Sequence, residues 1–446
     1  MSFVLRVSAF VLFALAVRPL AAQPGVAGAY DGPSILGRGG SAVGRRGSES
    51  VPIQVQASFN GTYDSSILGY SVDSGGGFKP GESTGIDATL SASGRHNWRR
   101  SFLGLDYGGN FSHYFGNTFF NGTNHQLNLG WGTQLGQRLQ LTSQVGAGTS
   151  NRFLGGPSIF QGSEFEFLTA PVGELFDARN YFIGTTTSAT YSFNRRQSVR
   201  FSGTGSTTRR RARSLVDMRS YGASADWVYR LSRRSSLGVS YSFSHFDFEK
   251  VFGESDVHTI GAHGSRRFGR DWELAASVTL SQQSTVGIRS FGLDPVLAAI
   301  LGRNSGSEVF ETNSRLVGGS VSLSRKIRRS FVSISAQRGV TPGNGFFLTS
   351  INEGVGASMS YNFSRDLSFN GNTGYNKMTS LGFASGAFTG WTAGGGVTYK
   401  LTESFGLNAR YDWRTFDLRQ TTFGRTANRV TIGITYFPQQ GPAGLW

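Results

Sequence analysis

"YSFNRRQSVRFSGTGS", residues 191–206, decides the fold. It alternates from Tyr191 to Phe193, breaks into a short polar turn holding Arg195 and Arg196, and alternates again from Val199. The same grammar returns at 229–244 ("YRLSRRSSLGVSYSFS") and 266–281 ("RRFGRDWELAASVTLS"), then in "SRKIRRSFVSISAQ", "YNFSRDLSFNGNTG" and "YKLTESFGLNARYD". Apolar residues at every second position give an extended chain one apolar face and one polar face. A short polar break between two such runs reads as a hairpin.

Short turns of this kind fall near 96–100, 136–138, 194–197, 232–235, 269–271, 328–330, 364–366 and 402–404. Between them lie two alternating runs of ten to fourteen residues and one Gly/Ser/Asn-rich connection. A propeller blade would place four short strands in about forty residues. Long strands joined alternately by short turns and long loops are instead the pattern of an up-and-down membrane barrel. With both chain ends on the turn side, the eight turns require eighteen strands; the short segments 257–268 and 331–340, if wrongly split, reduce the count to sixteen.

The faces can be read residue by residue. Ile53, Val55, Ala57, Phe59 and Tyr63 alternate with Gln54, Gln56, Ser58, Asn60 and Thr62. Val430, Ile432, Ile434 and Tyr436 alternate with Thr431, Gly433 and Thr435. A soluble sandwich would turn the apolar face inward; a membrane barrel turns it to lipid and keeps small polar residues inside. Strand length favours the barrel, because a tilted crossing takes about nine to eleven residues. So do the aromatics beside the short turns: Tyr191, Phe193, Tyr229, Tyr361, Phe363 and Tyr399 suit an interfacial girdle.

The composition agrees. The chain of 446 residues holds 63 Gly, 36 Phe, 15 Tyr and 7 Trp, 11 Pro and no Cys. Residues 1–22 read as a secretory signal, with Arg6 before an apolar run over 7–17 and Leu20-Ala21-Ala22 at the cleavage site. That run is too short for a membrane helix, which needs about twenty residues. Residues 23–50 read as a flexible periplasmic extension, 51–437 as the barrel and 438–446 as a tail. A formal charge of +16 suggests nucleic acid, but export makes membrane phosphates or an anionic solute the better partners.

The final strand "RVTIGITYF", with Gly433 and the aromatic pair Tyr436-Phe437, resembles the C-terminal assembly signal of bacterial outer-membrane β-barrel proteins, although nine residues follow it. The resemblance implies outer-membrane location, the barrel-assembly machinery as partner, and contact with outer-membrane lipid and lipopolysaccharide. The long strands and repeated Arg turns are also similar to porin-like families found near polysaccharide-secretion genes.

No catalytic constellation emerges. There is no G-x-S-x-G elbow, no zinc spacing, and His258 and His263 are an odd number apart, hence on opposite faces. No cofactor is expected. On the lumen face the sequence places Asp87, Asp106, Arg200, Arg219, Asp226, Glu273, Arg410, Asp412 and Arg414, either as wall pairs holding the register or as a track selecting solutes. Two long outer loops are expected. The third, 151–180, carries Glu164, Glu166, Glu174 and Asp177 and either narrows the lumen or packs outside. The sixth, 285–312, carries a short helix opened by Asp294-Pro295 and closed by Gly302. "TTRRRARS", 207–214, either grips lipopolysaccharide phosphates or is solvated. Arg195, Arg196, Arg233 and Arg234 read as membrane-interface anchors. Barrels of 16 to 18 strands leave room for water, so the expected function is passive diffusion of small hydrophilic solutes. The alternative is a non-transport barrel of a polysaccharide-secretion or envelope-assembly system.

Overall fold

A computed structural model describes residues 51–72, 78–115, 121–150, 179–211, 216–249, 253–269, 271–292, 305–341, 349–381, 387–419 and 424–436. The signal, extension and tail assigned to the chain ends lie outside these residues, as do Phe437, the loop acids Glu164, Glu166, Glu174 and Asp177, and the Asp294–Gly302 turns.

Eighteen strands form one sheet. They are β1 (Val51–Val72), β2 (Phe78–Asn97), β3 (Ser101–Tyr114), β4 (Gly122–Leu135), β5 (Leu139–Ser150) and β6 (Asn180–Ser192). β7 (Gln197–Arg210), β8 (Met218–Ser232), β9 (Ser235–Asp247), β10 (Gly253–Phe268), β11 (Trp272–Gly292) and β12 (Ser305–Ile327) follow. β13 (Ser330–Thr341), β14 (Ser350–Asn362), β15 (Leu367–Ser380), β16 (Ala387–Lys400), β17 (Phe405–Arg419) and β18 (Gly424–Tyr436) complete it. Each strand pairs antiparallel with the next, and β1 pairs with β18 from Ala57↔Tyr436 to Asp64↔Arg429, so the sheet closes on itself. Closure leaves no edge strand with unpaired backbone groups. Segments 257–268 and 331–340 each belong to one strand, so the count is eighteen and not sixteen.

The turns show what the repeat encodes. In the 193–196 turn the Asn194 side-chain oxygen accepts from the Arg196 and Gln197 amides at 2.8 and 2.9 Å. Ser364 does the same for Asp366 and Leu367 at 3.1 and 3.0 Å, and Thr402 for Ser404 and Phe405 at 3.2 and 3.0 Å. Short polar side chains that mimic a backbone turn are the defining element; the neighbouring arginines are exposed passengers. Two other turns use Gly136 (φ 72°) and Gly269 (φ 59°), where a Cβ would be disfavoured.

The wall is inside-out relative to a soluble protein. The exposed face carries Val278 (65 %), Val317 (63 %) and Ile432 (62 %), whereas Asp64, Asp106 and Thr285 on the other face have no solvent contact. On β11 the outward positions Leu274, Ala276, Val278 and Leu280 are apolar, and Gln282 and Ser284 above them are polar. Residues 272–280 therefore match the length of one tilted crossing. Among the described residues no helix is long and apolar enough to cross a membrane. At the turn end, Tyr191–Phe193 and Tyr361–Phe363 meet edge-to-face at 5.1 and 4.6 Å, Trp227 and Tyr229 stack at 6.2 Å, and Tyr399 is exposed.

Three expectations are corrected. Strand lengths exceed ten to fourteen residues: β1, β2, β11 and β12 have 22, 20, 21 and 23. The sixth outer loop is consequently much shorter than 285–312, because Thr285 pairs with Thr312 and the ladder continues to Gly292↔Ser305. Alternation of Val286, Ile288 and Val309 carries the ladder on beyond the apolar band. Finally, Arg219 is not on the lumen face. It is seven residues from Asp226 on a strand with no bulge between them, so the two face opposite sides. Arg219 shares the outer face with Tyr221 (58 % exposed), and its guanidinium pairs with Glu249.

Candidate functional site in the barrel lumen

Every second residue of each strand faces the lumen, so the candidate site is the wall itself. Its most common unit is a cross-strand hydroxyl pair. Thr142–Ser188, Ser202–Ser224, Ser206–Ser220, Thr259–Ser281, Ser277–Ser320 and Ser333–Ser358 lie 2.6–2.8 Å apart. Each hydroxyl has one donor and two acceptor positions, so pairing leaves capacity for a passing solute.

Charge is concentrated where the barrel closes. Arg429 of β18 reaches over β1 to Asp87 of β2 at 2.8 Å, and Thr62 donates to the same carboxylate at 2.6 Å. Arg414 of β17 reaches over β18 to Asp64 of β1 at 3.0 Å. Arg410 holds Asp412 at 2.5 Å and crosses β16 to the side-chain oxygens of Asn370 and Asn372 at 3.1 and 2.7 Å. Asn408 donates to Asn60 at 2.8 Å, again across β18. Three arginines and three aspartates are thereby matched within one seam.

Glycine makes two of these reaches possible, those of Asn60 and Arg410. A Cβ at Gly433 would collide with the Asn60 side chain and the Phe59 carbonyl; one at Gly396 would stand 3.1 Å from the Asn370 oxygen; one at Gly394 would meet Asp412 and stand 2.7 Å from Arg410. Asn60 and Arg410 thereby lie over the bare backbone of β18 and β16. Gly433 thus has a packing role on the lumen face, while Tyr436 faces outward with its ring 5.2 Å from Phe405.

A second group sits on β7–β10. Arg200 is the register partner of Asp226, and His263 lies over Gly238 with Nε2 at 3.4 Å from the Asp226 carboxylate. Glu273 faces the lumen at the turn end, opposite Ser324. Among the described residues no group of three or more His, Cys, Asp or Glu side chains fits a metal ion.

Asp106 stands apart. It has no solvent contact, and neither carboxylate oxygen has a hydrogen-bond partner. Asn128, opposite it in register, is equally buried with both amide atoms unpartnered. Asn376 is another buried amide without partners, but it carries no charge.

Eight of the nine lumen positions expected from sequence therefore face the lumen, and Arg219 does not. Sequence reading did not single out Asp64, Arg429, Asn128 and His263. Parity is a usable signal for all four: Asp64 continues the face of Asn60 and Thr62, and Arg429 that of Thr431 and Gly433. Of the Arg-rich stretch 207–214, the Arg210 side chain turns inward to the Val216 carbonyl while its backbone amide donates to Asp217, and exposed Arg209 lies outward beside Tyr181.

No family model matches the sequence, and no curated protein matches it either. Among solved structures, the chain is similar to OpdK of Pseudomonas aeruginosa, crystallised with vanillate, at 12% identity over 86% of this chain and 98% of that one, TM-score 0.42. It is similar to OccK2 (OpdF) of the same organism, in complex with glucuronate, at 12% identity over 87% and 98%, TM-score 0.43. A BenF-like porin from Pseudomonas fluorescens shows 12% identity over 86% and 99%, TM-score 0.42. So distant a likeness assigns no solute and no residue role to this chain.

Proposed function

We propose that this barrel is an outer-membrane channel for passive diffusion of small hydrophilic solutes. One observation carries the reading: the charged side chains at the seam of an eighteen-stranded wall are paired with one another along or across strands, and the commonest unit of the remaining lining is a paired hydroxyl. Eighteen strands are wide enough for water, and such a lining can exchange hydrogen bonds with a neutral polar solute without trapping it. The seam charges cancel locally, so the formal charge of +16 says little about the solute. Much of that charge sits in exposed Arg-Arg pairs at 99–100, 195–196, 233–234 and 328–329, all in short turns. There, each cation beside an anionic lipid surface contributes about 1 kcal/mol.

In this reading the chain is exported by residues 1–22, inserted by the barrel-assembly machinery and held among outer-membrane lipid and lipopolysaccharide. The accessory-barrel reading, in a polysaccharide-secretion system, finds no observation in its favour among the described residues. Planar-bilayer recording tests the channel. Stable open steps of nanosiemens size are expected from the refolded chain; a correctly folded but silent barrel would sink the reading.

A further inference from the structure

We propose that Asp106 and Asn128 form a binding station for a primary ammonium group that has a hydroxyl on the adjacent carbon, as in an amino sugar. The proposal rests on the channel reading for access, because a solute reaches this wall only through the lumen.

A carboxylate removed from water without a partner costs several kcal/mol, and a buried polar group without a partner requires an explanation. Here four polar atoms are orphaned at one place. The two Asp106 oxygens and the Asn128 amide oxygen and nitrogen all lack hydrogen bonds. The two residues are directly opposite each other on β3 and β4, and neither has solvent contact. The seam carboxylates provide the contrast: Asp64, Asp87 and Asp412 each have an arginine within 3.0 Å.

Glycines flank the pair on the lumen face. Asp106 is flanked along its face by Gly104 and Gly108, and Asn128 by Gly130. Gly104 pairs with Gly130, Asn128 with Gly146, and Gly146 with Gly184. A Cβ at Gly146 would stand 2.7 Å from the Asn128 oxygen. Across β3–β6 this level of the wall therefore carries glycine where other strands present Ser, Thr or Arg, and the Asn128 side chain lies over Gly146.

The donor set selects the ligand. Asp106 supplies two acceptors and a negative charge; Asn128 supplies one acceptor and one donor group. An ammonium donates three protons, to both Asp106 oxygens and the Asn128 oxygen, and also neutralises the charge. The Asn128 NH2 then needs an acceptor, which a neighbouring hydroxyl provides. A neutral sugar leaves the charge uncompensated, and a carboxylated one is repelled.

The test uses the full chain folded in detergent. Thermal midpoints are measured with glucosamine hydrochloride, glucose, N-acetylglucosamine and KCl at matched ionic strength. Glucosamine alone should raise the midpoint, and Asp106→Asn and Asn128→Leu should each abolish the rise. In bilayers, glucosamine should block current at a concentration about tenfold lower in the wild type than in Asp106→Asn, as expected for loss of one charge-assisted hydrogen bond. An equal rise with KCl would make this an inorganic-cation site and overturn the proposal; so would the absence of any rise. Heat-modifiable gel mobility reports folding of each variant, and Asn128→Leu carries the test if Asp106→Asn does not fold. A silent barrel that still responds to glucosamine defeats the channel reading only. An open barrel indifferent to the amine defeats this inference only.

Discussion

Asp87 and Asp106 are aspartates on neighbouring strands, both facing the lumen and both almost without solvent contact. Asp87 is held by Arg429 and Thr62, and Asp106 by no described residue. Burial is therefore no guide to role on this wall; what lies one or two strands away decides it. At the seam, Arg429 and Arg414 cross a strand to neutralise acids, and glycines lie under Arg410 and Asn60. At the bay of β3–β6, Phe102, Asn128 and Phe182 lie over Gly132, Gly146 and Gly148, and no described cation hydrogen-bonds to Asp106. Side chains cover glycines in both places, but the acid is neutralised in one and unpartnered in the other.

The largest effect should come from making the seam resemble the bay. Arg429→Leu leaves Asp87 buried without its cation, and removing one partner of a buried pair costs about 3–5 kcal/mol. The denaturation midpoint of the refolded barrel should fall accordingly. The double variant Asp87→Leu with Arg429→Leu should recover most of the loss, because an apolar pair of similar volume replaces an ion pair at little cost. Asp106→Asn, which removes an orphan charge, should hold or raise the midpoint. A loss at Asp106 as large as at Arg429 would erase the distinction between the two regions.

A smaller effect should follow from filling the floor under a crossing side chain. In a strand, Gly433→Val looks favourable on propensity. Here the added carbons meet Asn60, whose Cγ would lie 2.7 Å away from a Cβ, and the hydrogen bond from Asn408 to Asn60 is displaced. Overpacking of this kind costs about 1–3 kcal/mol. An unchanged or higher midpoint would show that the glycine serves only as a sequence signal and not as room for Asn60.

Seam and bay also differ in how legible they are in the sequence. Alternation in segments such as 430–436 is local, so strands, faces and all eight turns can be read from it. So can lumen residues such as Asp412, by parity. Arg219 is misplaced when parity is not carried the seven residues to Asp226. The partner of Asp87 is out of reach for a different reason. Arg429 lies 342 residues away, and only closure of β1 on β18 brings the two together. The isolation of Asp106 is harder still, since it depends on what every neighbouring strand fails to supply.

The smallest effect should come from arginines of the same type as Arg429 in the opposite surroundings. Arg195 and Arg196 are exposed, and the turn between them and β7 is held by Asn194 and by the Arg196 backbone rather than by either guanidinium. In neutral lipid vesicles, the double variant Arg195→Gln with Arg196→Gln should therefore unfold within about 0.5 kcal/mol of wild type, as surface substitutions usually do. In vesicles containing anionic phospholipid it should lose more, up to about 1 kcal/mol per charge removed, and added salt should abolish that difference. A large loss in neutral vesicles would mean that the guanidinium groups hold the turn. Equal behaviour in neutral and anionic vesicles would mean that they do not anchor it. Only a loss that depends on lipid charge fits the role assigned to these arginines, and it would separate them from Arg429 by mechanism as well as by size.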